Sequence, residues 1–349
     1  MTRSRVADRL RLDKSNAPLE TTMRRLTEPR SVNDIVKVRI LHAEKLSCPL
    51  LMNWVAAILL SAFFLGIYDL CTKHAVRANA VTPVLFSSTL TGALVWTILL
   101  AIDAIRPGLL PAMLVTDPLT WKQHLQLMLK SGIVAASWIG TYYALKHLPL
   151  SLGAPIRATS PLLTLFGAIL ILGERPTWLE TVGILTTLAS FVGLSVAGAR
   201  EGIHFHRNKW VWFLLMGTLF GAVSSLYDKY LLGRLNFSVP TVQCWFSIYL
   251  LVFFGPFALG WKLRLWSRNE FTWRWSIPFI ALALLVADYF YFSALRHPDA
   301  LVAIVMSLRR ASTLVAFAGG LYFFHELNGW KKLPAVIGIL VGVVLTLLG

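Results

Sequence analysis

Apolar residues along this 349-residue chain fall into blocks of about twenty, separated by short polar or charged stretches. A helix needs about twenty apolar residues to cross about 30 Å of hydrocarbon, because it rises 1.5 Å per residue. Transmembrane strands would instead show about ten residues of strict alternation, which these blocks do not have. The pattern predicts an all-α integral membrane protein in which each span pairs its own backbone amides.

Ten blocks are long enough to be membrane spans. Their separators include stretches that bilayer edges favour, such as Arg106-Pro107-Gly108 and Lys331-Lys332, and tryptophans lie close to most of the edges. The predicted spans cover residues 54–72, 84–105, 126–146, 150–172, 177–198, 210–232, 240–260, 275–296, 300–323 and 332–348.

The composition agrees with a membrane protein, since 56% of residues are hydrophobic and 14% are charged, against about 25% charged in a soluble domain. The net charge of +16 comes from Lys and Arg in the loops and the N-terminal tail. No folded basic domain remains that could read nucleic acid. The three cysteines form no C-x-x-C motif and no metal-ligand spacing. We therefore expect no metal and no cofactor.

The first 51 residues differ from the rest of the chain, because they hold eleven Lys or Arg, six Asp or Glu and no long apolar run. A secretory signal would need an uninterrupted apolar core. We expect this basic tail to be disordered or weakly helical and dispensable for folding. Whether the native chain begins at Met52, which opens the first span directly, is left open.

The chain also contains a tandem repeat of about 150 residues. Three pairs of short stretches recur at separations of 150, 152 and 159 residues: Thr141–His147 with Tyr291–His297, Gly173-Glu174 with His325-Glu326, and Tyr68-Asp69 with Tyr227-Asp228. Because five is an odd number of spans, the second copy of the unit has the opposite orientation in the membrane. Such inverted repeats are a recurring architecture of secondary transporters. The predicted organisation is a first repeat over 52–199, a charged loop over 200–209 and a second repeat over 210–349.

Two long stretches point to a family: ALKHLPLSLGAPIRATSPLLTLFGAILILGERPTWLETVGILTTLASFVGL from Ala144, and ALRHPDALVAIVMSLRRASTLVAFAGGLYFFHEL from Ala294. Both resemble the third-to-fifth-helix unit of EamA-type transporters in the drug/metabolite transporter superfamily. The second copy keeps only Glu326 of the family's Gly-Glu-Arg turn. The resemblance covers about residues 52–349 and implies ten helices in two inverted halves, a central cavity and alternating access, without ATP. Members carry chemically diverse solutes, so the resemblance leaves the substrate open.

Charged side chains inside predicted spans are the first candidates for a binding site, because a charge at the bilayer centre costs about 2.5–3.5 kcal/mol. Arg309 and Arg310 lie well inside their span, and a guanidinium suits bidentate binding of carboxylate or phosphate. The SLRR stretch from Ser307 resembles the Ser-x-Lys-Arg stretch of phosphate-translocating relatives, whose basic pair binds the anionic group. Arg157 is the counterpart of Arg309 in the repeat. The alternatives are pairing with Asp288 or a backbone carbonyl, and snorkelling of Arg157 to the interface.

Asp288 lies near the middle of its predicted span, beside two tyrosines. A carboxylate at this depth is either a proton relay in the cavity or a counter-ion of the arginine pair. Trp138, which stands opposite Asp288 in the repeat, and Tyr142 are predicted to line the same cavity.

A second set of candidates concerns coupling and gating. Asp69 and Lys73 have the spacing of a helical ion pair, either solvated or coupled to transport, and Asp228 with the lysine that follows it is the corresponding acid-base neighbourhood. Pro155 and Pro161 interrupt the fourth span, which frees backbone carbonyls and predicts a bent, gating helix.

Together these features predict a secondary transporter that moves a small anionic or zwitterionic metabolite across the cell (inner) membrane by alternating access. A flippase for a lipid-linked or phosphate-bearing headgroup is the alternative, and a membrane-embedded transferase is the remote one. An enzyme is not predicted, since no H-E-x-x-H and no Ser/His/Asp cluster appears. The expected partners are the solute, membrane lipids and a coupled proton or counter-solute, with no nucleic acid, in a monomer or homodimer.

Two signals conflict on orientation. The resemblance puts both termini in the cytoplasm, but the basic residues of 200–209 and 262–274 would then lie outside, against the positive-inside tendency. We follow the resemblance.

Overall fold

The structure is a computed structural model that describes residues 54–77, 79–147, 159–196, 209–265, 270–312, 314–315, 318–319 and 329–348. Throughout these ranges the regular secondary structure is helical, with no strand. The predicted all-α class is therefore confirmed for them. The basic tail over 1–51 and the charged loop over 200–208 lie outside the described residues.

Ten α-helices run through the described residues, and each overlaps one of the ten apolar blocks. Their bounds are α1 Trp54–Val76, α2 Val81–Ile105, α3 Trp121–His147, α4 Ser160–Gly167, α5 Trp178–Val196, α6 Lys209–Lys229, α7 Val239–Lys262, α8 Ser276–Arg296, α9 Val302–Arg309 and α10 Gly329–Leu348. The last turns of α4 and α6 continue as π-helical turns over Ala168–Leu172 and Tyr230–Arg234, and a short 3₁₀ turn covers Ala112–Leu114.

Five of these helices are long and apolar enough to cross a membrane: α1, α2, α6 with its π turn, α7 and α8. Large apolar side chains are exposed on the outside of the helices, among them Ile98, Leu170 and Leu348 at 57%, 81% and 71% of their full area. Such side chains would destabilise a protein in water, whereas contact with lipid tails satisfies them. Multiple exposed apolar helices are what a membrane protein requires.

The helices pack most extensively as α1 with α8, α5 with α10, α3 with α6 and α2 with α7. Smaller contacts join α3 with α7, α2 with α8, α4 with α6, and α9 with both α1 and α4. Small residues allow the close approaches. Gly140 of α3 and Gly217 of α6 face each other so closely that a Cβ at either position would lie 2.9 Å from a backbone oxygen of the partner helix. Contacts of this kind between small residues drive helix association in membranes, where the hydrophobic effect between helices is absent.

The largest buried cluster surrounds α9, whose side chains from Val302 to Val305 are at most 2% exposed. Pro161 lies in the first turn of α4, where a helix tolerates proline because the missing N–H would have no intrahelical partner. Pro155, the other proline predicted to bend this span, lies outside the described residues.

Candidate functional site

A cavity lies between α1, α2, α3, α7 and α8 and encloses about 620 Å³ of empty space, including the part that opens to solvent. Its wall is mostly apolar, with a few polar groups from Thr72, Ser88, Gln243 and Asp288. An apolar wall with few convergent polar groups is typical of a small-molecule site. Within the described ranges no group of His, Cys, Asp or Glu is placed to hold a metal ion.

The charged group on the cavity wall, Asp288 of α8, is paired with Arg309 of α9. One terminal nitrogen of Arg309 donates to Asp288 Oδ1 at 2.5 Å, and the two side chains are 15% and 12% exposed. The guanidinium also lies over the ring of Tyr291, 4.1 Å from its centroid, which is a favourable cation–π geometry. Arg309 Nε is buried and has no hydrogen-bond partner among the described residues. The guanidinium therefore keeps an unused donor next to Asp288, which is a residue of the cavity wall.

A second ion pair lies deeper, between Lys130 of α3 and Asp228 of α6, with side chains only 2% and 6% exposed. Lys130 Nζ also lies 4.3 Å from the centroid of the Phe246 ring and 4.9 Å from that of Phe292. Phe246 belongs to the cavity wall as well. The ammonium group of Lys130 therefore lies against a ring of the cavity wall.

Tyr291 joins the two ion pairs into one cluster. Its hydroxyl donates to Asp228 Oδ2 at 3.4 Å, and its ring carries the guanidinium of Arg309. Asp228 is also close enough to Arg309 and Asp288 to interact with them electrostatically. We call Lys130, Asp228, Asp288 and Arg309 the four-charge cluster; two cations and two carboxylates give it a formal charge of zero.

The structure corrects the expected neighbourhood of Asp228 and Lys229, which do not form a pair. Adjacent residues on a helix project in different directions, so Asp228 turns toward Lys130, while Lys229 donates to three backbone carbonyls. These belong to Leu295, His297 and Ala300, at 3.1, 3.0 and 2.6 Å.

The other predicted residues are placed as follows. Trp138 lines the cavity and stacks on Phe254, with ring centroids 5.9 Å apart. Asp69 is exposed on α1, and Arg310 is half-buried at the end of α9. Arg157 lies outside the described residues, as do the side chains of Lys73 and Tyr142.

Sequence reasoning missed Lys130, although a signal was present. Lys130 falls within the predicted span 126–146 and has no acidic residue within one helical turn. A lone charge inside a span should face a partner on another helix. The same rule that selected Asp288 therefore applies to Lys130.

At the C-terminal end of α8, away from the cavity, charged side chains hold the α8–α9 connection. Both carboxylate oxygens of Glu174 accept the N–H of Val302, the first residue of α9, at 2.8 and 3.0 Å. Lys229 donates to carbonyls at the end of α8 and in the same connection. We call Glu174, Lys229 and these backbone groups the α8–α9 clamp. It joins a side chain before α5 to one at the end of α6.

Glu174 predicts a pH dependence of stability. Burial raises the pKa of this carboxyl above its ordinary value, although the N–H groups of Val302 and Ala303 and the charge of Lys229 act in the opposite direction. Between the unfolded and folded values the folded state binds more protons, so its stability falls as pH rises through that window. Glu174→Gln keeps an acceptor for Val302 but cannot ionise, so this part of the pH dependence should disappear.

The measurement is the melting temperature in detergent from mildly acidic to neutral pH. Glu270→Gln, an exposed glutamate in the loop before α8, is the matched control and should keep the wild-type slope. An unchanged slope in Glu174→Gln would show that the clamp carboxyl does not titrate in this way.

Comparison with known proteins agrees with this architecture. The sequence profile of the EamA-like transporter family matches residues 52–196. A solved crystal structure has a similar fold, with a TM-score of 0.62 and 18% sequence identity over 84% of this chain and 98% of that one. At this identity the likeness shows the fold alone. No curated protein matches the chain.

The family match confirms the resemblance carried by the first of the two long stretches, and the family it names is one of membrane transporters of small solutes. The likeness to the EamA-like transporter family therefore lies in the segment 52–196.

Proposed function

We propose that the chain is a secondary transporter of the cell membrane that moves a small anionic or zwitterionic metabolite by alternating access. The observation that carries the proposal is Arg309, which is held at the cavity by Asp288 and Tyr291 and keeps an unused Nε donor. A buried guanidinium with a free edge suits a carboxylate or phosphate. Asp288 stands beside it on the cavity wall and suits the amino group of a zwitterion.

The helix pairing supports two inverted five-helix halves and ten spans. If each helix is exchanged with the one five positions along the chain, the α1–α8 pair becomes the α6–α3 pair. The α2–α7, α4–α9 and α5–α10 pairs are each mapped onto themselves. This is the contact pattern of a pseudo-two-fold axis between inverted repeats.

The position of the cavity supports alternating access. The cavity follows the N-terminal half of α8, from Ile280 to Asp288, whereas the α8–α9 clamp closes the opposite end of the same helix. A transporter of this class binds its solute near the repeat interface and opens one end at a time. The clamp is then the closed gate of the state described here.

The test uses aromatic probes that differ only in charge, because the mostly apolar cavity wall suits an aromatic body. Benzoate, phenyl phosphate, phenylalanine and benzylamine are screened for a rise in the melting temperature of purified protein, since binding to the folded state alone stabilises it. We expect the anions or the zwitterion to stabilise the protein and benzylamine not to.

Arg309→Lys keeps the charge but loses the planar fork, and we expect it to weaken anion binding at least about tenfold, the equivalent of one charge-assisted hydrogen bond. Arg234→Lys, at an exposed position after α6, should bind like wild type. Binding of the cation alone would contradict the proposal. Movement of labelled lipids but of no soluble probe across liposomes would favour the flippase.

A further inference from the structure

The four-charge cluster is neutral before any solute binds. Lys130 is balanced by Asp228, and Arg309 is balanced by Asp288. All four side chains are at least 85% buried, so a net charge here is poorly screened by water. An anionic solute at Arg309 would leave the cluster with one uncompensated negative charge, which is strongly unfavourable in a buried site.

One added proton restores neutrality. We propose that Asp288 takes up a proton when an anionic solute binds Arg309, so that the solute and the proton cross the membrane together. The inference rests on the proposed function and adds the coupling ion to it. The proton comes from water in the cavity and bonds to a carboxylate oxygen of Asp288. Arg309 is thereby released to hold the anion alone.

Asp288 is the acceptor because it can be reached and because its partner is the group that the solute engages. It lines the cavity, and the described structure gives it one ion-pair partner, Arg309. Asp228 is held by both Lys130 and Tyr291 and does not belong to the cavity wall. A solute in the cavity displaces neither of those two donors.

The surroundings of Asp288 contain few other groups that titrate. From α9 it faces Arg309, and Tyr291 of its own helix and Asp228 of α6 are close enough to interact with its charge. Lys130 of α3 pairs with Asp228. Among the described side chains of α1, Tyr68 lines the cavity, Cys71 belongs to an apolar cluster with Ile277, His74 is bonded to Ser276 near the start of α8, and Asp69 is exposed. The cavity-lining residues of α2 and α7 do not ionise.

The charge of the solute then determines how many protons the protein takes up when the solute binds. An anion requires one proton, whereas a zwitterion brings its own positive charge to Asp288 and requires none. By linkage, binding that takes up one proton weakens about tenfold for each unit rise in pH. Binding without proton uptake does not depend on pH in this way.

Benzoate and benzenesulfonate are suitable probes, because both stay ionised between pH 6 and 8. For wild-type protein we expect their affinity to fall about tenfold per pH unit, with uptake of about one proton per probe in weakly buffered solution. Asp288→Asn imitates the protonated acid and should bind both probes with an affinity that stays constant over this range. The control is Asp103→Asn. Asp103 lies near the C-terminal end of α2, whereas the cavity lies along the first half of that helix. This variant should keep the wild-type slope.

The outcomes separate the two proposals. If wild type binds the probes with no proton uptake and no pH dependence, proton coupling at Asp288 is wrong and the transporter proposal stands. If neither probe binds at any pH, the anion site fails and the inference falls with it. The proton uptake of wild type decides the question even if Asp288→Asn does not fold.

Discussion

Lys130→Met is expected to lower the stability of the folded protein strongly. The substitution leaves Asp228, whose side chain is 6% exposed, without the cation that balances it. Breaking a buried ion pair from one side costs about 3–5 kcal/mol. The free energy of unfolding of a domain is typically about 5–15 kcal/mol, so this single change removes a large part of it.

The double variant Lys130→Met with Asp228→Leu removes both charges and should recover much of the loss, because an apolar replacement of a whole buried pair is often neutral or stabilising. Monodisperse yield and melting temperature in detergent are the measurements. Lys122→Met, at an exposed position in the first turn of α3, should behave like wild type. If Lys130→Met alone melted at the wild-type temperature, the pair would not be the buried partnership described here.

The second large effect is expected at the crossing of α5 and α10, where two glycines interlock. A Cβ at Gly183 would lie 2.5 Å from the backbone nitrogen of Thr346, and a Cβ at Gly342 would lie 2.5 Å from that of Thr187. Backbone atoms cannot move aside as a flexible side chain can. Gly183→Leu should therefore push the helices apart and destabilise the protein by at least about 3 kcal/mol, at the upper end of overpacking effects.

The same helix supplies the control. A Cβ at Gly193 of α5 would meet no atom within 4 Å, so Gly193→Leu changes size and helix propensity without a clash. Comparing the melting temperatures of the two variants separates packing from propensity. Equal losses in both would mean that the α5–α10 crossing is looser than the structure shows.

The existence and approximate position of the helices could be predicted from the sequence, because an apolar run of about twenty residues has few stable forms in a membrane. The α8 block, predicted over 275–296, is a helix over Ser276–Arg296. Which helices touch could not be predicted in this way. The contact of α1 with α8 depends on close-fitting surfaces, such as the stacking of Phe64 on Phe290, and hydropathy does not encode them.

Part of the candidate site could be predicted from the sequence, because charges inside an apolar span need a partner. Asp288 and Arg309 stand in adjoining spans, so pairing was one of few ways to satisfy both charges, and the structure brings them together. The partner of Asp228 was not foreseen. The lysine next to it in the chain is the nearest in sequence, but the rotation of α6 about its axis turns Asp228 toward Lys130. A rotation of this kind is fixed by tertiary packing.

The neutrality of the four-charge cluster has a consequence for energetics under a membrane potential. Moving one elementary charge through the full potential changes the free energy by about 2.3 kcal/mol per 100 mV. Two cations and two carboxylates that move as one set carry no net charge through that field. In the transport cycle proposed above, the return of the empty protein would therefore do no electrical work through these groups, and a membrane potential would neither drive nor oppose it there.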